Sequence, residues 1–146
     1  MSDTEHKAKV ADYRLEDQVG YILRLASQRH AVLFQNKAPD GLTPTQFSAL
    51  VRLAEVGTCS QNLLGRLVSM DVATIKGVID RLKAKGLVSV SLDKTDLRRT
   101  TIVPTQKALD MIGDLHRTGF AVTEGTLAPL NQRERETLLR LLQKIT

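Results

Sequence analysis

The chain has 146 residues, 42% hydrophobic and 25% charged, with a formal net charge of +5. That length allows one domain, and a single cysteine, Cys59, excludes an internal disulfide framework and a multi-cysteine metal site. Aromatic residues make up 3% and tryptophan is absent, so the stacking platforms that RNA and single-stranded nucleic acid require are missing.

The opening stretch MSDTEHKAKV holds no apolar run, and no window approaches the length of a membrane span, so the expected compartment is the cytosol. A first long helix is expected from Asp12 to Lys37. Val19, Ile22, Ala26, His30 and Leu33 share one face within about 80°, and Tyr21, Arg24, Leu25, Gln28 and Val32 lie on a second. Apolar residues on two sides imply cover from two directions, one from the chain's own body and one from a partner.

Pro39-Asp40-Gly41 breaks the chain. Thr43 then reads as an N-cap, Pro44 as the first helical residue and Gln46 as the capping-box partner of a helix ending near Gly57. Its expected buried stripe is Phe47, Leu50, Val51 and Ala54. Cys59, read as a buried structural thiol, stands where a short strand could enter, and Ser60 caps a short helix, SQNLLGRLV.

Asp71 caps the next helix, which runs to Lys85 and is stopped by Gly86. Val72, Ile75, Val78, Ile79 and Leu82 form its expected core stripe. Ala73, Thr74, Lys76, Gly77, Asp80, Arg81 and Ala84 face the other way. Small residues at 73 and 77 let the backbone approach another surface closely, while Thr74 and Lys76 offer donors, a shape the major groove accepts. Asp80 is expected to pair with Lys76 or Lys83.

After Gly86 the period changes from 3.6 to 2. Val88, Val90 and Leu92 alternate with serines, and Thr100 to Val103 form a second short run, so a β-hairpin is expected. Its connection, residues 93–99, carries Lys94, Arg98 and Arg99, with Asp96 placed to orient Arg98 towards a narrow minor groove. Residues 60–101 hold eight Lys and Arg against four Asp and Glu, so four of the five net positive charges belong to this segment. Beyond it, Pro104-Thr105 opens a long helix with a stripe of Leu109, Ile112, Leu115 and Val122, weakened locally by Gly113, Gly119 and Gly125. Pro129 breaks the chain again, and Asn131 with Glu134 caps a last helix striped by Leu138, Leu141, Leu142 and Ile145.

A helix-turn-helix followed directly by a basic hairpin is one supersecondary unit, the winged helix. Three stretches carry a closer likeness: Leu63-Leu64-Gly65-Arg66-Leu67, the run from Val78-Ile79-Asp80-Arg81-Leu82 through Lys85-Gly86-Leu87-Val88, and Asp96-Leu97-Arg98-Arg99-Thr100. With them the chain resembles the multiple-antibiotic-resistance regulator (MarR) family, whose D-x-R wing motif falls on Asp96 and Arg98. Two positions depart from the family pattern: Gly77, where a longer polar side chain is common, and Ala108, where a glycine often stands.

The resemblance implies a mainly α fold with a small β-hairpin wing, in a single domain spanning residues 1–146. Within it, residues 41–103 would form the winged-helix DNA-binding lobe, and residues 12–37 and 105–145 would be dimerisation helices. A small lobe cannot cover the stripes of the terminal helices, which also points to a homodimer. The expected partner is double-stranded DNA with an inverted repeat, contacted by Ala73, Thr74, Lys76, Gly77, Arg81, Lys94, Asp96, Arg98 and Arg99, with Lys83 and Lys85 as further phosphate candidates.

The run Gly20 to His30 looks like the first helix of members that regulate aromatic-compound breakdown. That likeness makes Arg24 the anchor of a carboxylate, with His30 and Tyr21 as further candidates, and implies a repressor released by a small aromatic acid or phenol. Peroxide-sensing members carry a reactive cysteine in the first long helix, where this chain has none. No P-loop, glycine-rich dinucleotide turn, G-x-S-x-G or metal-spaced His or Cys set is present, so neither an enzyme nor a cofactor or metal is expected. A winged-helix adaptor that binds protein is the alternative, against which the basic wing argues.

Overall fold

The computed structural model describes residues 12–96 and 99–146. Among the described residues, six α-helices and three strands follow one another as α1 (Val19–Lys37), α2 (Pro44–Val56), β1 (Cys59–Ser60), α3 (Gln61–Leu67), α4 (Val72–Ala84), β2 (Val88–Leu92), β3 (Thr100–Pro104), α5 (Gln106–Thr126) and α6 (Gln132–Lys144). The strands form one antiparallel sheet in the order β1-β3-β2, with Cys59 opposite Ile102 and Val90 opposite the same residue from the other side. This is the mainly helical winged helix-turn-helix expected from the sequence.

Capping chemistry sets most boundaries. Thr43 and Gln46 form a reciprocal capping box at α2, and Asn131 and Glu134 form another at α6. Ser60, Asp71 and Thr105 cap α3, α4 and α5 by accepting the N–H of Leu63, Thr74 and Ala108. Gly57 ends α2 at φ +84°, and Gly86 turns the chain from α4 into β2 at φ +72°, where a side chain would be strained.

The core lies within the middle of the chain. Leu50 and Leu53 of α2, Leu64 of α3, Ile75, Ile79 and Leu82 of α4, Leu87 and Ile102 around the sheet, and Ala108 and Leu115 of α5 are all buried in it. Gly65 sits where α3 meets α4: a Cβ built on it would lie 3.2 Å from Ile75 Cγ2 and 3.2 Å from the Met70 carbonyl oxygen. The two helices of the helix-turn-helix can therefore cross this closely only without a side chain at position 65.

Four sequence expectations are corrected. The first α-helix begins at Val19 and not at Asp12, because Gln18 is extended (φ −87°, ψ 133°) and its N–H closes a preceding 3-10 turn, Leu15–Asp17, on the Leu15 carbonyl. The stripe of α2 is shifted, with Ala49 and Leu53 fully buried and Phe47, Val51 and Ala54 only half-buried, since α2 is packed between α4 on one side and α5 on another. Val72 is 69% exposed because it occupies the first helical position, ahead of the point where α4 meets Gly65. Leu109 is exposed, while its neighbour Ala108, about 100° around the helix, fills the core position.

The terminal helices have a different character. α1 packs on the C-terminal part of α5 through Leu33 and sets Phe34 edge-on against Phe47 of α2, ring centroids 5.4 Å apart. Its N-terminal half leaves Val19, Ile22 and Leu25 exposed. α6 contains no buried residue, and Leu139 and Leu141 along it and Ile145 at its end are exposed. Polar ties hold these ends in place: Arg29 donates to the carbonyls of Gly125 and Thr126, and Arg135 joins the Leu130 carbonyl to the Glu124 carboxylate. At the α1–α2 turn, Lys85 Nζ donates to the Asp40 carbonyl at 2.7 Å while Lys107 Nζ pairs with the Asp40 carboxylate at 3.3 Å. Among the described residues, no helix is long and apolar enough to cross a membrane.

The two inner glycines of the helix-turn-helix predict opposite outcomes. Gly65→Ala is expected to cost about 1–3 kcal/mol through crowding against Ile75 and the Met70 backbone. Gly77, which has open space where a Cβ would stand, should instead gain up to about 1 kcal/mol on change to Ala from helix propensity alone. Urea denaturation of the two variants checks both signs.

Candidate functional site

α4 divides cleanly along its axis. Ile75, Val78, Ile79 and Leu82 are in the core, and Ala73, Thr74, Lys76, Gly77 and Arg81 are exposed on the other side. With no Cβ at 77 and only a methyl group at 73, the exposed surface is low at its centre and basic at its flanks. Lys76 Nζ pairs with Asp80 at 3.1 Å, one of the two pairings expected for that carboxylate. Asp71 accepts the Thr74 N–H at 2.7 Å, and that bond holds its carboxyl below the usual aspartate range.

The connection between β2 and β3 is built on Asp93. Its Oδ1 accepts the Thr95 N–H at 2.8 Å and the Thr95 hydroxyl at 2.7 Å, and these bonds, with Arg99 nearby, lower its pKa. The backbone closes around it, Asp93 N–H to the Arg99 carbonyl and Arg99 N–H to the Asp96 carbonyl, each at 3.0 Å. Lys94 and Arg99 are exposed and Asp96 is half-buried. Arg98, the expected minor-groove residue, lies outside the described residues, as does Leu97. Asp93 was not singled out from the sequence; the signal was its spacing from Thr95, that of an Asx turn.

A cleft of about 410 Å³ opens between α3, α4 and the sheet. Arg66, Lys76, Lys83 and Arg99 line it, with Ile79 and Val90 on its floor and Asp80 in its wall. Lys76 and Arg99, expected from different motifs, are thus brought together, and Arg66 joins them unforeseen. Lys85, expected among the phosphate contacts, instead points to Asp40. Cys59 is buried, and burial pushes its thiol up from the ordinary range, as expected of a structural cysteine.

The three residues expected to meet a ligand separate into two groups. Arg24 lies over the Tyr21 ring, its guanidinium carbon 5.4 Å from the centroid, so these two side chains form one cation–π unit. His30 is turned to the end of α5, its Nδ1 3.0 Å from the Thr126 hydroxyl. A separate apolar recess of about 420 Å³ lies between α2 and α5, walled by Phe47, Val51, His116, Gly119 and Phe120. Phe120 is 78% exposed. Among the described residues no cluster of His, Cys, Asp and Glu could hold a metal ion.

Comparison with known proteins follows the same segments. A family model described as MarR family matches residues 42–100. The HTH-type transcriptional repressor NicR of Pseudomonas putida is 37% identical over 134 residues, covering 91% of this chain and 85% of that protein. A crystal structure from Pseudomonas aeruginosa, described as a probable transcriptional regulator, superposes with a TM-score of 0.86 at 47% identity, covering 91% of this chain and all of the other (100%). BpsR of Bordetella bronchiseptica, whose DNA binding is regulated by 6-hydroxynicotinic acid, superposes with a TM-score of 0.83 at 36% identity, covering 91% and 96% of the two chains.

The helix-capping Asp71 and the turn-forming Asp93 predict a pH dependence. Both carboxyls titrate lower in the folded chain than in the unfolded one, so each contributes stability that is present above the ordinary aspartate range and is lost as the pH falls through the depressed one. D71N and D93N should therefore lose less stability between neutral pH and about pH 3 than the parent does. Urea midpoints followed down the pH scale measure it, and curves parallel to the parent's would contradict it.

Proposed function

The chain belongs to the MarR family of transcriptional regulators, and from that premise we propose that it is a repressor that binds an inverted repeat in duplex DNA as a homodimer and is released by a small aromatic acid. The observation that carries the DNA part is the division of α4: a low, basic, solvent-facing surface on a helix whose other side is locked into the core. Ala73, Thr74 and Gly77 would meet the base edges, Lys76 and Arg81 the flanking backbone, and Lys94, Asp96, Arg98 and Arg99 the neighbouring groove.

Dimerisation rests on exposed apolar surface. Val19, Ile22 and Leu25 of α1, Leu139 and Leu141 of α6 and Ile145 just beyond it remain 43–66% exposed, and burying what remains is worth roughly half of the 1.5–3 kcal/mol of a fully exposed side chain in each case. A second copy around a two-fold axis covers both sets at once. Two recognition helices then stand one turn of DNA apart, matching half-sites centred about 10 bp from each other.

For the effector, the relevant groups are the Arg24–Tyr21 unit and the apolar recess. Arg24 offers a planar fork to a carboxylate and Tyr21 a flat face. Along α1, Arg24 stands about 15 Å from Phe34, the residue that packs beside the recess. A small ligand therefore reaches both only where the Arg24 comes from the second copy. That arrangement ties ligand binding to the spacing of the two lobes, which is what a change in DNA affinity requires. Repression and an aromatic acid are supported by the resemblance to NicR and to BpsR. Arg29 and His30 serve the α1–α5 contact, which leaves Arg24 as the stronger anchor.

With roughly four phosphates neutralised per subunit, the affinity for duplex from the region flanking the chain's own gene should fall with salt at a log–log slope of about −7. Fluorescence anisotropy against KCl concentration tests it, and a slope near zero removes the DNA assignment. Arg24→Ala should leave that affinity intact. It should also abolish the rise in melting temperature that 6-hydroxynicotinate or a related aromatic carboxylate gives the parent, and an unchanged thermal shift would rule Arg24 out.

A further inference from the structure

The cleft between α3, α4 and the sheet carries more than the reading above assigns to it. Its cations come from three separate elements: Arg66 from α3, Lys83 from α4 and Arg99 from the connection before β3. Among the described residues, neither Arg66 nor Lys83 has a carboxylate within ion-pair distance, whereas Lys76 is held by Asp80 at 3.1 Å. The pairing cancels the charge of the one carboxylate in the wall. What remains is the charge of Arg66 and Lys83, joined by that of Arg99, which Asp93 partly offsets, gathered in one cleft.

We propose that this cleft seats one phosphodiester group of duplex DNA, with Arg66 as its principal donor and Lys83 and Arg99 as flanking charges. The proposal rests on the DNA-binding reading and adds to it a residue outside the recognition helix and wing. Arg66 suits the task because a guanidinium offers two parallel N–H donors to two phosphate oxygens, where an ammonium offers a point charge. Its backbone is placed by its neighbour Gly65, which closely approaches Ile75 and the Met70 carbonyl, so the donor is carried on a packed helix junction. Val90, half-buried in the cleft lining, offers an apolar contact to a deoxyribose. A phosphate held there would set how deeply α4 enters the groove, since the same cleft is walled by Lys76 and Lys83 of that helix.

A phosphate contact positions the protein without reading sequence, and this gives it a distinctive signature. Arg66→Gln should weaken binding roughly tenfold, and equally, on duplex from the chain's own flanking region and on a shuffled duplex of the same length. The salt slope should become shallower by about two for a dimer, one for each lost contact. Arg66→Lys, which keeps the charge, should retain the slope and recover part of the affinity. Thermal unfolding of both variants should match the parent, because the Arg66 side chain is exposed.

Unchanged affinity and slope in Arg66→Gln would overturn the proposal, as would a loss confined to the flanking duplex, which marks a base reader. A parent protein that ignores both duplexes in dilute buffer defeats the DNA reading itself, and the phosphate seat with it. That outcome is separable from a variant that binds as its parent does.

Discussion

The close approach at Gly65 is the contact on which the arrangement of the molecule depends. Because the α3 backbone meets Ile75 and the Met70 carbonyl without an intervening side chain, α4 is brought down onto the core through Ile75, Val78, Ile79 and Leu82. Burying those four side chains leaves only one direction for the rest of the helix to face. The exposed surface of Ala73, Thr74, Gly77 and Arg81 is thus a consequence of packing on the opposite side. The cleft beside it follows from the same junction, since Arg66 and Ile79 are carried on the two helices that meet there.

The chain distributes its apolar surface unevenly. The lobe between Leu42 and Leu115 has a contiguous core, while α1 and α6 are held by polar ties at Arg29 and Arg135 and keep much of their apolar surface open. The two regions are nonetheless linked. Asp40, at the turn after α1, is joined to the end of α4 by Lys85 and to the start of α5 by Lys107. These two contacts tie the turn after α1 to both helices at once.

How much of this was legible in the sequence varied with the kind of signal. Helix starts were readable because Thr43, Ser60, Asp71, Thr105 and Asn131 each act through a bond three residues away, and such local chemistry is written in the sequence. The glycine stop at 86 was readable for the same reason. The start of α1 was not, because nothing in the composition of residues 12–18 separates a 3-10 turn from a helical one. Stripe positions failed at Val72 and Leu109, where a helical period identifies a face but not where along the helix the neighbour begins. The division of α4 into a buried and an exposed side was visible as a pattern within one helix. The grouping of Arg66 with Lys83 and Arg99 was invisible because these residues meet in one cleft only after α3, α4 and the sheet are packed. Tyr21 and Arg24, three residues apart, form the unit their spacing permits, while His30 is claimed by Thr126 from a distant part of the chain.

Hydroxyl-radical footprinting of the flanking DNA reads whether two copies of this chain lay α4 into successive major grooves of one duplex. Paired protected patches related by a two-fold axis are expected, with centres about 10 bp apart and further protection at the outer edges where the β2–β3 connections reach. A single unpaired patch, or uniform protection with no periodicity at saturating protein, would contradict it.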